Sequence, residues 1–207
     1  MRTWRRLIEA LGPDAARLGL RKGATETSIV AAETFLNTRF PADYRAWLSI
    51  ADGQEIESLS ILPTGGWLIS LDRLLEKWTD ERNHDLEDYD DPETHGGGAI
   101  RPFVYHPRRI TIGGARFLDY DNTLLDLVPG PDGVEGQVIN FVTECDFVVL
   151  AESFDAYLDR VAELIETQQL VVGEDEYGAA CLVADQDERW DNLLVKKQRR
   201  RTKAKKP

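Results

Sequence analysis

The sequence predicts an α+β domain in which N-terminal helices pack on a mostly antiparallel sheet and a C-terminal helix closes the unit. Three observations carry that expectation. Before residue 53, apolar residues recur at helical spacing in three separate stretches. From Ile100 to Ala151 the pattern changes to short apolar runs separated by Gly, Pro, Asp and Asn turn signals. Connections that short join antiparallel neighbours, because a parallel crossover needs a dozen residues or more. A further helical stripe then follows, and helices, sheet, helix is the order of an α+β chain.

The elements are justified in turn. Trp4, Leu7, Ile8 and Leu11 form an amphipathic helix stopped by Gly12-Pro13. A polar, Gly-containing stretch runs through Gly23. Thr25 reads as the N-cap of a second helix, with Glu26 in the dipole-favoured first turn and Ile29, Ala32 and Leu36 on the buried side. Pro41 opens a third, in which Tyr44, Trp47, Leu48 and Ala51 share a face and Gly53 terminates it. Leu59 to Pro63 and Trp67 to Ser70, separated by Thr64-Gly65-Gly66, read as a hairpin. Ser70 caps a helix with the stripe Leu71, Leu74, Leu75 and Trp78.

Beyond Asp80, the residues Asp80, Glu81, Asp85, Glu87, Asp88, Asp90, Asp91 and Glu93 precede His95-Gly96-Gly97-Gly98, which predicts an exposed, mobile acidic loop. Strands are expected at Phe103 to His106, Arg109 to Ile112, Arg116 to Tyr120, Thr123 to Val128, Gln137 to Val142 and Phe147 to Ala151. Gly113-Gly114 and Asp121-Asn122 are among the turns between them. Ser153 caps the closing helix of Phe154, Tyr157, Leu158, Val161, Leu164 and Ile165. Apolar runs at Leu170 to Val172 and Ala179 to Val183 and a short helix over Asp187 to Val195 complete the body.

Of 207 residues, 42% are hydrophobic and 30% charged, as expected of a globular chain. The net charge of −12 is unevenly distributed. Residues Lys196–Pro207 hold eight Lys or Arg and no acid, which leaves 17 basic against 37 acidic residues, or −20, over residues 1–195. The expected organisation is a single domain over 1–195 followed by a basic, disordered tail at 196–207. Specific nucleic-acid binding is disfavoured, because phosphate contacts need Lys and Arg. The tail carries no aromatic for base stacking, so it offers only weak, salt-sensitive contact. No apolar run reaches the roughly 18–20 residues of a membrane span, and Met1 to Arg6 lack a signal-peptide apolar block. With only Cys145 and Cys181, the chain is not a disulfide scaffold, and a reducing cytoplasmic setting is expected.

Candidate chemistry is sparse. The phosphate-loop, metalloprotease, nucleophile-elbow and kinase motifs are absent. Cys145 lies between Glu144 and Asp146, whose charges oppose a reactive thiolate. His84, His95 and His106 flank or lie within the acidic loop, with spacing wider than that of known metal sites. Asp119, Asp121 and Asp126 lack calcium-loop spacing, and Asp121-Asn122 is an ordinary turn pair. No enzyme, cofactor or metal is expected.

Several segments together resemble the SUKH superfamily. These are Trp4 and Leu7; Gly23-Ala24-Thr25 leading to Ile29 and Glu33; Phe40-Pro41-Ala42-Asp43-Tyr44-Arg45-Ala46-Trp47-Leu48; Asp52-Gly53; and Trp67-Leu68-Ile69-Ser70-Leu71 with Trp78. The most specific runs from Leu125 to Ile139, similar to the family's D-L-D-P-G-P-x-G-x-x-G-Q-V segment, with Val128 where an Asp is usual. Ser153-Phe154 and Tyr157-Leu158 match its closing helix. The likeness covers about residues 4–167.

The resemblance implies a non-enzymatic protein-binding module, either an immunity protein that neutralises a bacterial toxin or a scaffold like the fungal cell-wall assembly regulators. An acidic body adds a physical reason for the first, since toxins acting on nucleic acid present cationic grooves. The expected partner-binding residues are the loop acids Asp85, Glu87, Asp88, Asp90 and Asp91, with Asp119, Asp121 and Asp126 as a second patch.

Overall fold

The computed structural model describes residues 2–63, 65–82, 98–103, 105–114, 122–141, 147–175, 178–184 and 194. The fold is α+β. In chain order the elements are α1 (Arg2–Leu11), a 3-10 helix over Gly12–Leu18, β1 (Leu20–Lys22), α2 (Glu26–Phe35), α3 (Ala42–Leu48), β2 (Ala51–Gln54), β3 (Trp67–Leu68) and α4 (Leu71–Arg82). There follow β4 (Arg109–Gly114), β5 (Asn122–Asp126), β6 (Gln137–Phe141), β7 (Phe147–Ala151), α5 (Phe154–Glu166), β8 (Leu170–Glu174) and β9 (Ala180–Ala184). Strands β3 to β7 form one antiparallel sheet in sequence order, while β1-β2 and β8-β9 are separate antiparallel pairs.

The helices start where their caps dictate. Thr25 accepts a side-chain hydrogen bond from the Ser28 N–H, and Ser153 does the same for Ala156. Helix α4 has two such acceptors at its start: Ser70 Oγ takes the Arg73 N–H at 3.4 Å and Asp52 Oδ1 takes the Leu71 N–H at 2.7 Å. The inner sheet face, with Ile110, Ile112, Leu125, Val138 and Leu150, packs into one core with α1, α2, α3, α4 and α5. At its centre Trp4, Trp47, Phe154 and Tyr44 meet edge-on or tilted, with ring centroids 4.7 Å (Trp4–Trp47), 5.8 Å (Trp47–Phe154) and 5.2 Å (Tyr44–Phe154) apart. Leu194 is also buried in this core.

Five local expectations are corrected. Residues 59–63 and 67–70 do not pair as a hairpin: β3 pairs with β4, and Ser60 instead bridges to Cys181 of β9. Ala51 and Gly53 lie in β2 and not at a helix end, since α3 stops at Leu48. Gly113 and Gly114 are strand residues; a Cβ on Gly113 would sit 2.6 Å from the Trp67 carbonyl oxygen, so glycine lets β3 close on β4. Phe103 and His106 lie outside any strand, and Asp80 and Glu81 belong to α4 and not to a loop. The strand expected at 116–120, most of the helix expected at 187–195 and the tail 196–207 lie outside the described residues.

Candidate partner-binding site on the outer sheet face

Alternation along the strands sends Arg109 and Thr111 of β4, Leu124 and Asp126 of β5, Gln137, Ile139 and Phe141 of β6, and Phe147 and Val149 of β7 to the face opposite the main core. Leu124, Ile139 and Phe147 form a second apolar cluster there with Ile100. The register places Arg109 opposite Asp126 and Asp126 opposite Gln137, making one polar row across three strands.

That row is buried and knitted together. Arg109 Nε donates to Asp126 Oδ1 at 3.5 Å, its Nη2 to the Arg101 carbonyl at 3.1 Å and its Nη1 to the Phe103 carbonyl. Gln137 Nε2 donates to Asp126 Oδ2 and to the Ala99 carbonyl, both at 2.9 Å. The guanidinium carbon of Arg109 lies 4.4 Å from the Phe103 ring centre and 4.8 Å from that of Phe147. His106 stacks on Phe103 at 4.8 Å and Phe141 lies tilted against Phe147 at 4.8 Å, so five planar groups follow one another from His106 to Phe141.

Electrostatics follow from that burial. The Arg109 guanidinium has its proton affinity lowered by desolvation, partly offset by Asp126. Burial, followed by the charges of Arg109 and Arg108, holds the His106 imidazole below its ordinary value. Nδ1 of His106 also accepts the Arg108 N–H at 3.1 Å, which requires that nitrogen to be unprotonated.

The Gly-rich turn from β5 to β6 clasps the segment that covers this face. Gly130 donates its N–H to the Ala99 carbonyl at 2.9 Å, Asp132 donates to Gly98 at 3.1 Å, and Arg101 Nε reaches the Pro129 carbonyl at 3.0 Å. A Cβ on Gly130 would meet the Gly98 carbonyl oxygen at 2.2 Å and one on Gly133 the Ala99 carbonyl oxygen at 2.2 Å. Those two glycines are therefore required by the close approach of the covering segment.

Among the residues expected to contact a partner, Asp126 is corrected. It is fully buried, tied to Arg109 and Gln137, and shows no charge at the surface. Asp85, Glu87, Asp88, Asp90 and Asp91, together with Asp119 and Asp121, lie outside the described residues, as do His84, His95 and Cys145. Cys181 is buried in β9, where desolvation and then the charges of Asp175 and Glu174 raise its thiol pKa. Among the described residues no group of three or more His, Cys, Asp and Glu is arranged to hold a metal ion, and no helix is long and apolar enough to cross a membrane.

Residues that the sequence reading missed are Arg109 and its aromatic neighbours. The available signal was phase: Asp126 lies two residues from Leu124, and Gln137 two from Ile139, so each shares a face with a buried aliphatic residue.

A five-stranded antiparallel meander with helices on its inner face, and a Gly-rich turn clasping a strap over its outer face, define the class of α+β domain. Residues 23–160 match the model of the SMI1 / KNR4 family (SUKH-1), and the chain belongs to that family. It is similar to the cell wall biosynthesis/cell cycle regulator smi1 of Schizosaccharomyces pombe, 28% identical over an alignment of 196 positions that covers 86% of this chain and 38% of that protein. The chain thus spans well under half the length of that relative.

Proposed function

We propose that the protein is a non-enzymatic, cytoplasmic protein-binding module that neutralises a toxin by covering its cationic active groove with an acidic surface. Membership in the SMI1 / KNR4 family over residues 23–160 is the observation that supports a binding role. Charge supports the choice of partner: residues 1–195 carry a net −20. An enzyme that acts on nucleic acid must be basic where it meets phosphate. Opposite charge steers such a pair together at up to ~10⁸–10⁹ M⁻¹s⁻¹ at low salt, against ~10⁵–10⁶ without steering. In this reading the contacts come from Asp85, Glu87, Asp88, Asp90 and Asp91, with Asp119 and Asp121 as a second patch, while the buried Asp126 holds the scaffold.

A second reading is favoured by the name of the fission-yeast relative: a regulator that bridges cellular proteins, with the acidic stretch and the basic tail as separate docking segments. Co-purification with the product of the adjacent open reading frame tests the first reading. The expected result is a tight complex that weakens with salt and with Asn or Gln at the five loop acids. Removing residues 196–207 separates the two readings: protection from a toxin survives the truncation, whereas a scaffold that uses the tail fails.

A further inference from the structure

Helix α2 breaks the pattern of an acidic chain. Apart from Glu26, its exposed residues are Thr27, Ser28, Val30, Ala31, Thr34 and Phe35, and none of these is charged. Its two acids, Glu26 and Glu33, both turn to Arg45 of α3, at 2.8 Å and 2.9 Å. Among the described residues α2 is the one helix or strand with two large exposed apolar side chains, Val30 at 45% and Phe35 at 54%. A helix that faces water ordinarily puts its charges there, and an outer face without them marks a contact surface. We propose that the outer face of α2, continued across α4, docks a basic amphipathic helix of the protein partner. This rests on the protein-binding reading above and supplies the apolar anchor that reading leaves open.

The face is more apolar than its composition. Thr34 Oγ1 donates back to the Val30 carbonyl at 2.8 Å, and Thr79 Oγ1 of α4 to the Leu75 carbonyl at 2.7 Å. Both hydroxyls are thus engaged within their own helices, which leaves the methyl groups. Phe35 meets Trp78 of α4 edge-on, with ring centroids 5.6 Å apart. An exposed aromatic that is already held in place loses little freedom when a partner covers it. Aromatic anchors of this kind carry much of the energy of an interface.

Charge at the rim selects the occupant. Successive ridges of α4 are Leu74, Trp78 and Arg82, then Leu71, Leu75 and Thr79, then Asp72, Glu76 and Asp80. The last is a row of carboxylates four residues apart, spanning about 12 Å of helix. Arg73 pairs with Glu76 at 3.0 Å, while Asp72 and Asp80 have no ion pair among the described residues. Like charges at this spacing repel one another within the helix, and a Lys or Arg laid against them relieves that repulsion. Arg82, stacked over Trp78 at 4.6 Å, lies on the ridge farthest from the carboxylate row. The surface is therefore apolar in the middle and acidic along its outer edge. Its complement is a helix whose apolar face is bordered by Lys or Arg, in keeping with the net −20 of residues 1–195. A second copy of this acidic chain would set that row against like charge.

Titration of the full chain with an acetylated Leu/Lys peptide amide, about four helical turns long with its leucines on one face, tests this. Saturable shifts at Val30, Ala31 and Phe35 are expected in methyl and aromatic ¹H–¹³C NMR. An isomer of the same composition with its leucines out of helical phase should bind roughly tenfold more weakly. Phe35→Ser should weaken binding roughly tenfold and Val30→Ser roughly threefold. Ile56→Ser, which removes a more exposed apolar side chain elsewhere on the surface, should leave it within about twofold. Asp72→Asn combined with Asp80→Asn should weaken it roughly threefold and flatten its salt dependence. Unmoved Val30 and Phe35 signals, equal binding of the two isomers, or an Ile56→Ser loss equal to that of Phe35→Ser overturn the docking surface. Sedimentation that shows a dimeric parent and a monomeric Phe35→Ser protein overturns the occupant in favour of a second copy. A cognate partner that binds the Phe35→Ser protein as tightly as the parent overturns the surface while leaving the protein-binding reading intact.

Discussion

The two faces of the central sheet are held down by different physics. On the inner face Ile110, Ile112, Leu125, Val138 and Leu150 meet five helices, and the packing is aliphatic and aromatic. On the outer face a guanidinium and a carboxylate are both buried, and the cover is short segments pinned by hydrogen bonds. Apolar packing loses stability in proportion to the atoms removed. A buried ion pair fails abruptly when one member goes, because the survivor is left charged and unpaired. The outer face is therefore the brittle one, although it contains fewer apolar residues.

The largest expected effect tests that brittleness. Asp126→Ala should cost about 3–5 kcal/mol, since it strands Arg109 in the interior. Arg109→Met combined with Asp126→Leu should recover most of the loss. Urea unfolding of the two single variants and the double variant measures the coupling, and additive losses would remove the distinction between the faces. A smaller effect is expected on the inner face, where Ile110→Val should cost about 1 kcal/mol, with no partner substitution needed to explain it.

The smallest effect is a pH dependence. His106 is held below its ordinary value of 6.5 by burial and by Arg109 and Arg108. Its contribution to stability is complete above that value and is lost progressively as pH falls below it. In that window the unfolded chain binds the proton that the folded chain refuses, and below the lowered folded value the loss stops growing. His106→Asn, which keeps an acceptor near the Arg108 N–H, should flatten this part of the stability profile relative to the parent. Parallel profiles between pH 5 and 7 would mean that the imidazole is not held by the stack.

How much of this was legible depended on how local the signal was. The helices were readable because apolar spacing and caps such as Thr25 and Ser153 sit within a few residues of one another. The β4 to β7 segments were readable as apolar runs, and their short turns set the antiparallel order. The pairing of Trp67-Leu68 with Gly113-Gly114 was not, because it joins residues some 45 positions apart and leaves no trace in either segment. Asp126 was misjudged for a similar reason. A carboxylate beside a turn reads as exposed until Arg109, seventeen residues earlier, is placed opposite it by the register. The aromatic stack was invisible for the same reason, since Phe103 and Phe147 meet only through the folded guanidinium.

The clasp at Gly98 and the end of α4 act as two mooring posts. Arg82 rests on Trp78, whose indole N–H is tied to the Pro107 carbonyl at 2.9 Å, and Gly98 is held by Asp132. Trp78 and Pro107 lie 29 positions apart and Gly98 and Asp132 lie 34 apart, so both posts depend on contacts distant in the sequence.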